Sequence, residues 1–237
     1  MKLKHLTLAL VTLALVEHVN ADWLGEAKNF LQESGVKVPA SHLTQELKQG
    51  LKMSSDLVVN QLGAVNGFNA DPNIHIPLPS SLQEVRPLLE KAGLGAVLND
   101  METRLNRAAE AATPKAKAIF FNAISTMPAN DARNILAGSN DAATRYLQSK
   151  ITPDLVKELT PIVHASLAES GAIQSYDRIM NQYKQIPFAP AVKSDLSNYV
   201  VAKGMDGIFY YLAVEEAKIR TDPVTRAAEL LEQAFTQ

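Results

Sequence analysis

Apolar side chains recur three and four residues apart along most of the chain, which is the spacing of one face of an α-helix. The first clear stripe follows Ser80-Ser81 and ends at Gly93. Later stripes with this spacing are Val97, Leu98, Met101, Leu105, Ala108, Ala109 and Ala112; Ile119, Phe120, Ala123, Ile124 and Met127; Leu155, Leu159, Ile162, Val163 and Leu167; and Met205, Ile208, Phe209, Leu212 and Ala213. The pattern predicts a single all-α, multi-helix, bundle-like domain.

Several helix starts are marked by polar residues that can cap a first turn. Ser81 with Glu84 three residues later forms a capping-box pattern. The pairs Thr113-Pro114, Thr152-Pro153 and Asp222-Pro223 each place a capping side chain before a proline at the first helical position. We therefore expect a helix to begin at each of these points.

Two short segments depart from helical spacing, and both contain prolines. They are residues 73–79 and residues 186–190. Proline fixes φ and disfavours helix in the residue before it, so both segments should be extended. Because proline is poorly tolerated inside sheets, we expect loops packed across the bundle in preference to a pair of strands. His75 in the first segment is expected to point to solvent.

The first 21 residues have the pattern of a secretory signal peptide, with two early lysines, an apolar run over residues 6–16 and small residues up to Ala21. The run is too short to cross a bilayer. Cleavage near Ala21 should release a periplasmic or secreted bacterial protein with no transmembrane anchor. Residues 22–40 are expected to form an N-terminal extension or short helix, and residues 41–237 the helical domain.

Composition and motifs exclude several kinds of functional site. The chain has no cysteine, so disulfides, a thiol nucleophile and a lipoprotein anchor are excluded. Its formal charge of −2 gives no basic excess for nucleic acid. No histidine has metal-site spacing, and neither a Gly-x-Ser-x-Gly elbow nor a glycine-rich phosphate loop occurs. We therefore expect no metal, no cofactor and no nucleic-acid partner.

Three clusters of charged residues adjoin apolar stripes and supply the candidate ligand-binding residues. In the first, Glu216 continues the stripe of Phe209 and Leu212, and Arg220 follows in the favourable i, i+4 order for an ion pair. A carboxylate here lies at the rim or is buried with a partner, because an unpaired buried charge is costly. We favour a structural ion pair, and the alternative is a carboxylate that lines a cavity.

The second cluster lies between Gly138 and Arg145. Gly138 is expected to end one helix and Asn140 to cap the next. Asp141 in the first turn suits the helix dipole and can pair with Arg145 four residues later. Helix starts also bind anions, but Asp141 already supplies negative charge here, so we favour a structural role.

The third cluster is Asn106-Arg107-Ala108-Ala109-Glu110. The two alanines face the core and allow close helix approach. Arg107 and Glu110 project from other parts of the helix circumference. On an isolated helix they would be solvated surface, whereas in a multi-layer bundle a second helix could cover them.

Five segments of the chain together resemble a known family. They occur in fixed order and are Ile76-Pro77-Leu78-Pro79, Asn106 to Glu110, Gly138 to Thr144, Pro161-Ile162-Val163, and Glu215-Glu216 through Ile219-Arg220-Thr221-Asp222-Pro223. From about Ser41 to Phe235 the chain resembles an exported bacterial family catalogued as domain of unknown function 4197. The resemblance implies an all-helical envelope protein and supplies no activity, ligand or catalytic residue.

Three functions are compatible with these features. The favoured one is a non-catalytic binding or interaction module of the cell envelope, whose partner is an apolar or amphipathic small molecule or an envelope protein. A bound small molecule would have its polar end held by one of the candidate arginines. The alternative is a hydrolase with Glu216 and one of Asp141 or Glu110 as the acid–base pair. The third is a structural role, for which an exposed apolar patch would be expected.

Overall fold

The computed structural model describes residues 40–184 and 195–221, and every regular element there is helical, as predicted. The signal-peptide pattern, most of the N-terminal extension, residues 186–190 and the Asp222-Pro223 start lie outside the described residues. The described elements are α1 (Ala40–Gly63), α2 (Ser80–Lys91), α3 (Gly95–Ala112), a 3-10 helix (Thr113–Lys115), α4 (Ala116–Thr126), α5 (Ala129–Leu136), α6 (Ala142–Glu169), α7 (Ala172–Tyr183) and α8 (Leu196–Thr221).

The chain divides into two compact units. Residues 44–216 form the larger one, and residues 1–43 with residues 217–237 form the smaller. In the smaller unit the described residues are helical, and the hydroxyl of Thr221 donates to the carbonyl of Ala217 at 2.9 Å. The fold and site described below belong to the larger unit, which contains every candidate residue except Arg220.

Helices α3 and α6 form the centre of the larger unit. Helix α3 packs against α2, α6 and α7, while α6 also contacts α4, α5 and α7. The apolar stripes that predicted these helices are their buried faces, except that Val97 and Ile162 are only half-buried. Phe120 on α4 meets Phe209 on α8 edge to face, with ring centroids 5.9 Å apart.

Helices α1 and α4 run antiparallel, and polar contacts record their register. Side chains four residues apart on α1 meet residues four apart on α4 in reverse order. The pairs are Lys48 Nζ with the Ser125 carbonyl at 2.9 Å, Lys52 Nζ with the Phe121 ring centroid at 5.8 Å, and Asp56 with Lys117 at 2.5 Å.

The prediction that a helix begins at Thr152-Pro153 is wrong, because α6 runs without a break through Pro153 and Pro161. Both prolines are exposed. Carbonyl groups that lose their N–H partner to proline can there bind water, while the buried stripe on the opposite face holds the helix in place. The hydroxyl of Thr152 donates back to the Gln148 carbonyl at 2.6 Å and therefore does not cap a new helix.

Helix α2 matches its prediction at one end only. Pro79 precedes its first residue, so Ser81 lies inside the first turn and the predicted capping box is wrong. The Pro79 carbonyl accepts hydrogen bonds from the N–H groups of Leu82 at 2.8 Å and Gln83 at 3.0 Å, so Pro79 occupies the capping position. At the other end Gly93, with φ of +81°, ends the helix as predicted.

Two other predicted caps are also wrong. Thr113 has helical backbone angles, and its hydroxyl donates to the Ala109 carbonyl at 2.8 Å, because α3 continues directly into the 3-10 helix. Asn140 does not cap α6, since Asp141 is the residue that precedes its first turn. The shift of one residue leaves the Asp141 carboxylate free to bond with side chains on either side.

Candidate functional site

Helix α3 holds a packed loop through a fully buried asparagine. The side-chain oxygen of Asn106 accepts a hydrogen bond from the Ile76 N–H at 2.8 Å, and its amide donates to the Ile76 carbonyl at 2.8 Å. Asn106 thus supplies the donor and acceptor that a neighbouring β-strand would supply. Residues 75–79 form neither helix nor strand, and Ile76 and Leu78 are buried, so the packed-loop prediction is confirmed for this segment.

Glu110 anchors the start of the same loop. One carboxylate oxygen accepts hydrogen bonds from the backbone N–H groups of Phe68 at 3.1 Å and Asn69 at 3.0 Å. The other accepts from Arg107 at 2.6 Å, and Arg107 also donates to the side chain of Asn66 at 2.7 Å. Glu110 is only 4% exposed, so the expectation of a solvated surface is wrong for this residue. The loop covers it because the turn's N–H groups require an acceptor.

His75 lies between these two anchors and does not point to solvent as expected. Its Nδ1 lies 2.9 Å from the Asn69 carbonyl oxygen, and its Nε2 lies 3.0 Å from a carboxylate oxygen of Glu102. The second carboxylate oxygen of Glu102 accepts from the Leu78 N–H at 3.3 Å. Glu102, Asn106 and Glu110 therefore fasten one loop from successive turns of one helix.

Glu216 from α8 occupies the start of α6. One carboxylate oxygen accepts from the Ala143 N–H at 2.8 Å, and the other accepts from the N–H and the hydroxyl of Thr144 at 2.8 and 2.9 Å. The first N–H groups of a helix have no partner within it, and the helix dipole favours an anion there. The anion at this helix start is thus the protein's own buried carboxylate.

Asp141 and Arg145 pair across the first turn of α6, as their spacing predicts. The Arg145 Nε lies 2.7 Å from one Asp141 oxygen, and the Ser139 hydroxyl donates to the other at 2.7 Å. The hydrogen bonds from Ser139 and Arg145 lower the pKa of the Asp141 carboxyl below its ordinary value. This exposed pair and the buried Glu216 belong to the same helix start.

The candidate residues therefore fall into separate settings. Arg107 and Glu110 belong to the loop anchor, whereas Asp141, Arg145 and Glu216 gather at the start of α6. Arg220 lies in the smaller unit. A ligand-binding role for these six residues stays a prediction.

One open groove lies between α5 and α6, and Arg145 contributes to it. Its volume is about 390 Å³. Burial raises the pKa of Tyr146 in this groove, and the hydrogen bond between its hydroxyl and Asp131 acts in the same direction. The groove is lined by Asp131, Asn134, Ile135, Ala142, Arg145, Tyr146 and Ser149.

A second groove, of about 300 Å³, lies between α3 and α7. Arg104 uses its Nε to pair with Asp100 at 2.7 Å, which leaves its terminal nitrogens available. Gly171, just before α7, makes room for this guanidinium, since a Cβ there would lie 3.0 Å from Nη1 of Arg104. The lining residues are Ala96, Val97, Asp100, Arg104, Gln174, Ser175 and Arg178.

Sequence reasoning missed this second groove. Arg104 follows Asp100 by four residues, which alone predicts an ordinary surface ion pair. Arg178 lies on another helix, more than 70 positions along the chain. Only the packing of α3 against α7 brings the two arginines to one groove, so no local pattern could have indicated it.

No helix in residues 40–184 or 195–221 combines the length and apolar character needed to cross a membrane. Within the same residues, no group of three or more acidic or histidine side chains is arranged to hold a metal ion.

A family comparison assigns the chain. The model of the family described as "Protein of unknown function (DUF4197)" matches residues 37–236. The chain belongs to this family. The five segments that carried the resemblance lie within the matched range, including the loop at Ile76 and the helix start at Thr144. No curated protein and no solved structure matches the chain.

Proposed function

We propose that this DUF4197 protein is a non-catalytic ligand-binding module of the bacterial cell envelope, and that its ligand binds in the groove between α3 and α7. The observation that carries the proposal is a contrast in hydrogen bonding. Glu110 and Glu216 are buried and accept hydrogen bonds from backbone N–H groups, whereas polar side chains that line the groove retain donors with no acceptor among the described residues.

The carboxylates favour a structural role over catalysis. A general acid or base must reach the proton of its substrate, at about 3 Å or through one water. Both oxygens of Glu110 and both oxygens of Glu216 already accept hydrogen bonds from the protein. Proton transfer by either residue would break the contacts that fix a loop or a helix start.

The groove between α3 and α7 has the features of a small-molecule site. Its volume of about 300 Å³ lies at the lower end of the range for ligand pockets. Ala96 and Val97 give it an apolar wall. Gln174, Ser175 and Arg178 add convergent polar groups from α7, and none of their side chains bonds to another described residue. An apolar wall with a few polar groups is the usual composition of such sites.

The envelope location rests on the leader pattern in residues 1–21 and on the lack of cysteine. Expression of the full chain, followed by cell fractionation and N-terminal sequencing, tests it. We expect a mature N-terminus near Asp22 in the periplasmic fraction. An intact Met1 in the cytoplasmic fraction would contradict export while leaving the binding proposal open.

Native mass spectrometry of the purified protein, with and without cell extract, tests binding. We expect an adduct that is lost in Ala96→Phe, which fills the groove, and retained in Ala118→Phe. Both alanines are exposed on helix surfaces, and Ala118 lies on α4 outside the groove. No adduct, or an adduct that Ala96→Phe leaves unchanged, would refute the proposed site.

The carboxylate-dependent hydrolase remains an alternative prediction. It requires turnover of an ester, amide or glycoside that Glu110→Gln or Glu216→Gln abolishes while the fold is retained. The same extract provides the test, because a catalyst would convert a component and a binding protein would return it unchanged.

A further inference from the structure

We infer that the groove between α3 and α7 binds a small anionic group, a carboxylate or a phosphate, between the guanidinium groups of Arg104 and Arg178. The inference rests on the proposed function, since it specifies the ligand class of the same groove. It is carried by the state of the two arginines and by the arrangement of the donors around them.

Arg178 differs from the other arginines in the described part of the chain. It makes no hydrogen bond or ion pair there, although it lines a groove. Each of the others has a protein partner: Arg86 with Glu90, Arg104 with Asp100, Arg107 with Glu110, Arg133 with Asn130, Arg145 with Asp141, and Arg220 with a further contact. A guanidinium whose donors are all available can bind an anion without first losing a protein partner.

Arg104 is positioned to act with Arg178. The Nε of Arg104 donates to Asp100 at 2.7 Å, and its two terminal nitrogens make no hydrogen bond among the described residues. Nη1 lies close to Gly171, at the end of α7 that contributes Gln174 and Ser175. A planar guanidinium held in this way presents the paired N–H groups that match a carboxylate or phosphate.

The donors on α7 share one face of the helix. Gln174 and Ser175 precede Arg178 by four and three residues, so all three side chains project toward the same side. On α3, Asp100 and Arg104 are likewise four residues apart. The groove is therefore bounded by two arginines, an amide and a hydroxyl against one carboxylate, and its charge favours an anion.

The α5–α6 groove does not share this balance. Arg145 there is paired with Asp141, and the lining also contains Asp131. The lining therefore holds one carboxylate and one arginine, and the arginine is already paired with Asp141 outside the lining, which disfavours binding of an anion. The charge balance thus distinguishes the two grooves.

The test is a titration of the mature protein, by calorimetry and by 15N NMR, with sodium phosphate and separately with sodium butyrate at constant ionic strength. The key variant is Arg178→Gln, because the side chain is exposed and has no hydrogen-bond or ion-pair partner among the described residues. The control is Arg133→Gln, which removes the same charge from an exposed arginine outside the groove. Thermal melts verify that both variants fold.

We expect saturable binding of at least one probe, with amide shifts at Gly171 to Ser175. Arg178→Gln should weaken binding about tenfold or more, which corresponds to about 1.4 kcal/mol. Arg133→Gln should change it less than twofold. Absence of saturable binding by both probes, or equal weakening in the two variants, would overturn the inference.

Further experiments identify the source of the anion and distinguish failure of this inference from failure of the proposed function. Cosedimentation with vesicles of phosphatidylglycerol that depends on Arg178 would indicate a lipid headgroup, and binding of the free anions alone a soluble ligand. If an extract adduct persists in Arg178→Gln and phosphate and butyrate do not displace it, the anion inference fails and the proposed function stands. If neither extract nor probes bind, both fail.

Discussion

Thr144 donates two hydrogen bonds to Glu216, one from its backbone N–H at 2.8 Å and one from its hydroxyl at 2.9 Å. The two residues are 72 positions apart in the chain. Asp141, the residue before α6, makes no capping hydrogen bond with its side chain. A carboxylate from α8 therefore performs the capping that usually falls to the residue before the helix.

Glu216→Gln should destabilise the protein. A glutamine keeps one acceptor but directs an NH₂ group at donors, and the negative charge at the helix start is lost. We expect a loss of about 3 kcal/mol in the free energy of unfolding, measured by urea denaturation. Glu158→Gln, an exposed change of the same charge on α6, should stay within about 0.5 kcal/mol of wild type. A similar small effect for Glu216→Gln would contradict its role.

Asn106→Ala should release the loop without unfolding the bundle. It leaves the N–H and carbonyl of Ile76 buried without partners, at a cost of about 2–4 kcal/mol. Hydrogen exchange is the direct measurement, and the Ile76 amide should lose its protection while amides in α6 keep theirs. Asn122→Ala, at an exposed position on α4, is the control. Retained protection at Ile76 in Asn106→Ala would refute the anchor.

Asp71 should contribute to stability in a pH-dependent way through Tyr211. Burial acts to raise the pKa of Asp71, but hydrogen bonds from the Tyr211 hydroxyl and from Asn73 outweigh it, so the pKa lies below its ordinary value of 3.8. Because the folded pKa is lower than the unfolded one, this stabilisation is complete above about pH 3.8 and is lost as the pH falls through the folded value.

Tyr211→Phe tests this linkage. We expect a loss of about 1 kcal/mol or less at pH 7, because the pair is only partly buried, and a smaller loss well below pH 3.8. Tyr210→Phe is a matched control, since Tyr210 is the next residue in the chain and is 45% exposed. Urea denaturation across the acid range gives both profiles. A Tyr211→Phe effect independent of pH would show that Asp71 is not its partner in solution.

Two glycines in the interior of α8 should respond oppositely to alanine. A Cβ at Gly207 would lie 2.7 Å from Cε1 of the fully buried Phe68 and 3.3 Å from Cβ of Ile74. A Cβ at Gly204 would lie 3.8 Å from that of Ala109, which is an ordinary contact. Gly207→Ala should cost about 1–3 kcal/mol, whereas Gly204→Ala should gain up to about 1 kcal/mol from helix propensity. Thermal melts of the two variants measure these changes in stability. Equal changes in Gly207→Ala and Gly204→Ala would contradict this packing.

The helices could be predicted from sequence because their periodicity is local. Leu98, Met101 and Leu105 lie on one stripe and are all fully buried. The same local reasoning failed at two of the Thr-Pro starts. Thr113-Pro114 and Thr152-Pro153 look alike in sequence and both prolines are exposed, yet the first pair begins a 3-10 helix and the second lies within α6. The dipeptide alone therefore does not determine whether a new helix begins.

The contacts of Glu216 could not be predicted because the groups that bond it are distant in the chain and include backbone N–H groups, which nearly every residue carries. The stripe on α8 correctly indicated that Glu216 needs a partner. The spacing pointed only to Arg220, whereas the structure shows the backbone N–H of Ala143 and both groups of Thr144 as donors to Glu216. Every residue except proline carries such an N–H, so sequence offers no mark that distinguishes these two.

The spacing of the three anchoring residues along α3 determines which residues of the crossing loop they can bind. Glu110 holds residues 68 and 69, Asn106 holds residue 76, and Glu102 holds residue 78, so the loop runs antiparallel to the helix. One residue inserted between Glu102 and Glu110 would turn part of this row by about 100° and advance it by about 1.5 Å. The spacing along α3 is thus fixed by the loop that it fastens, and a change of length there would unfasten a segment remote from the insertion in sequence.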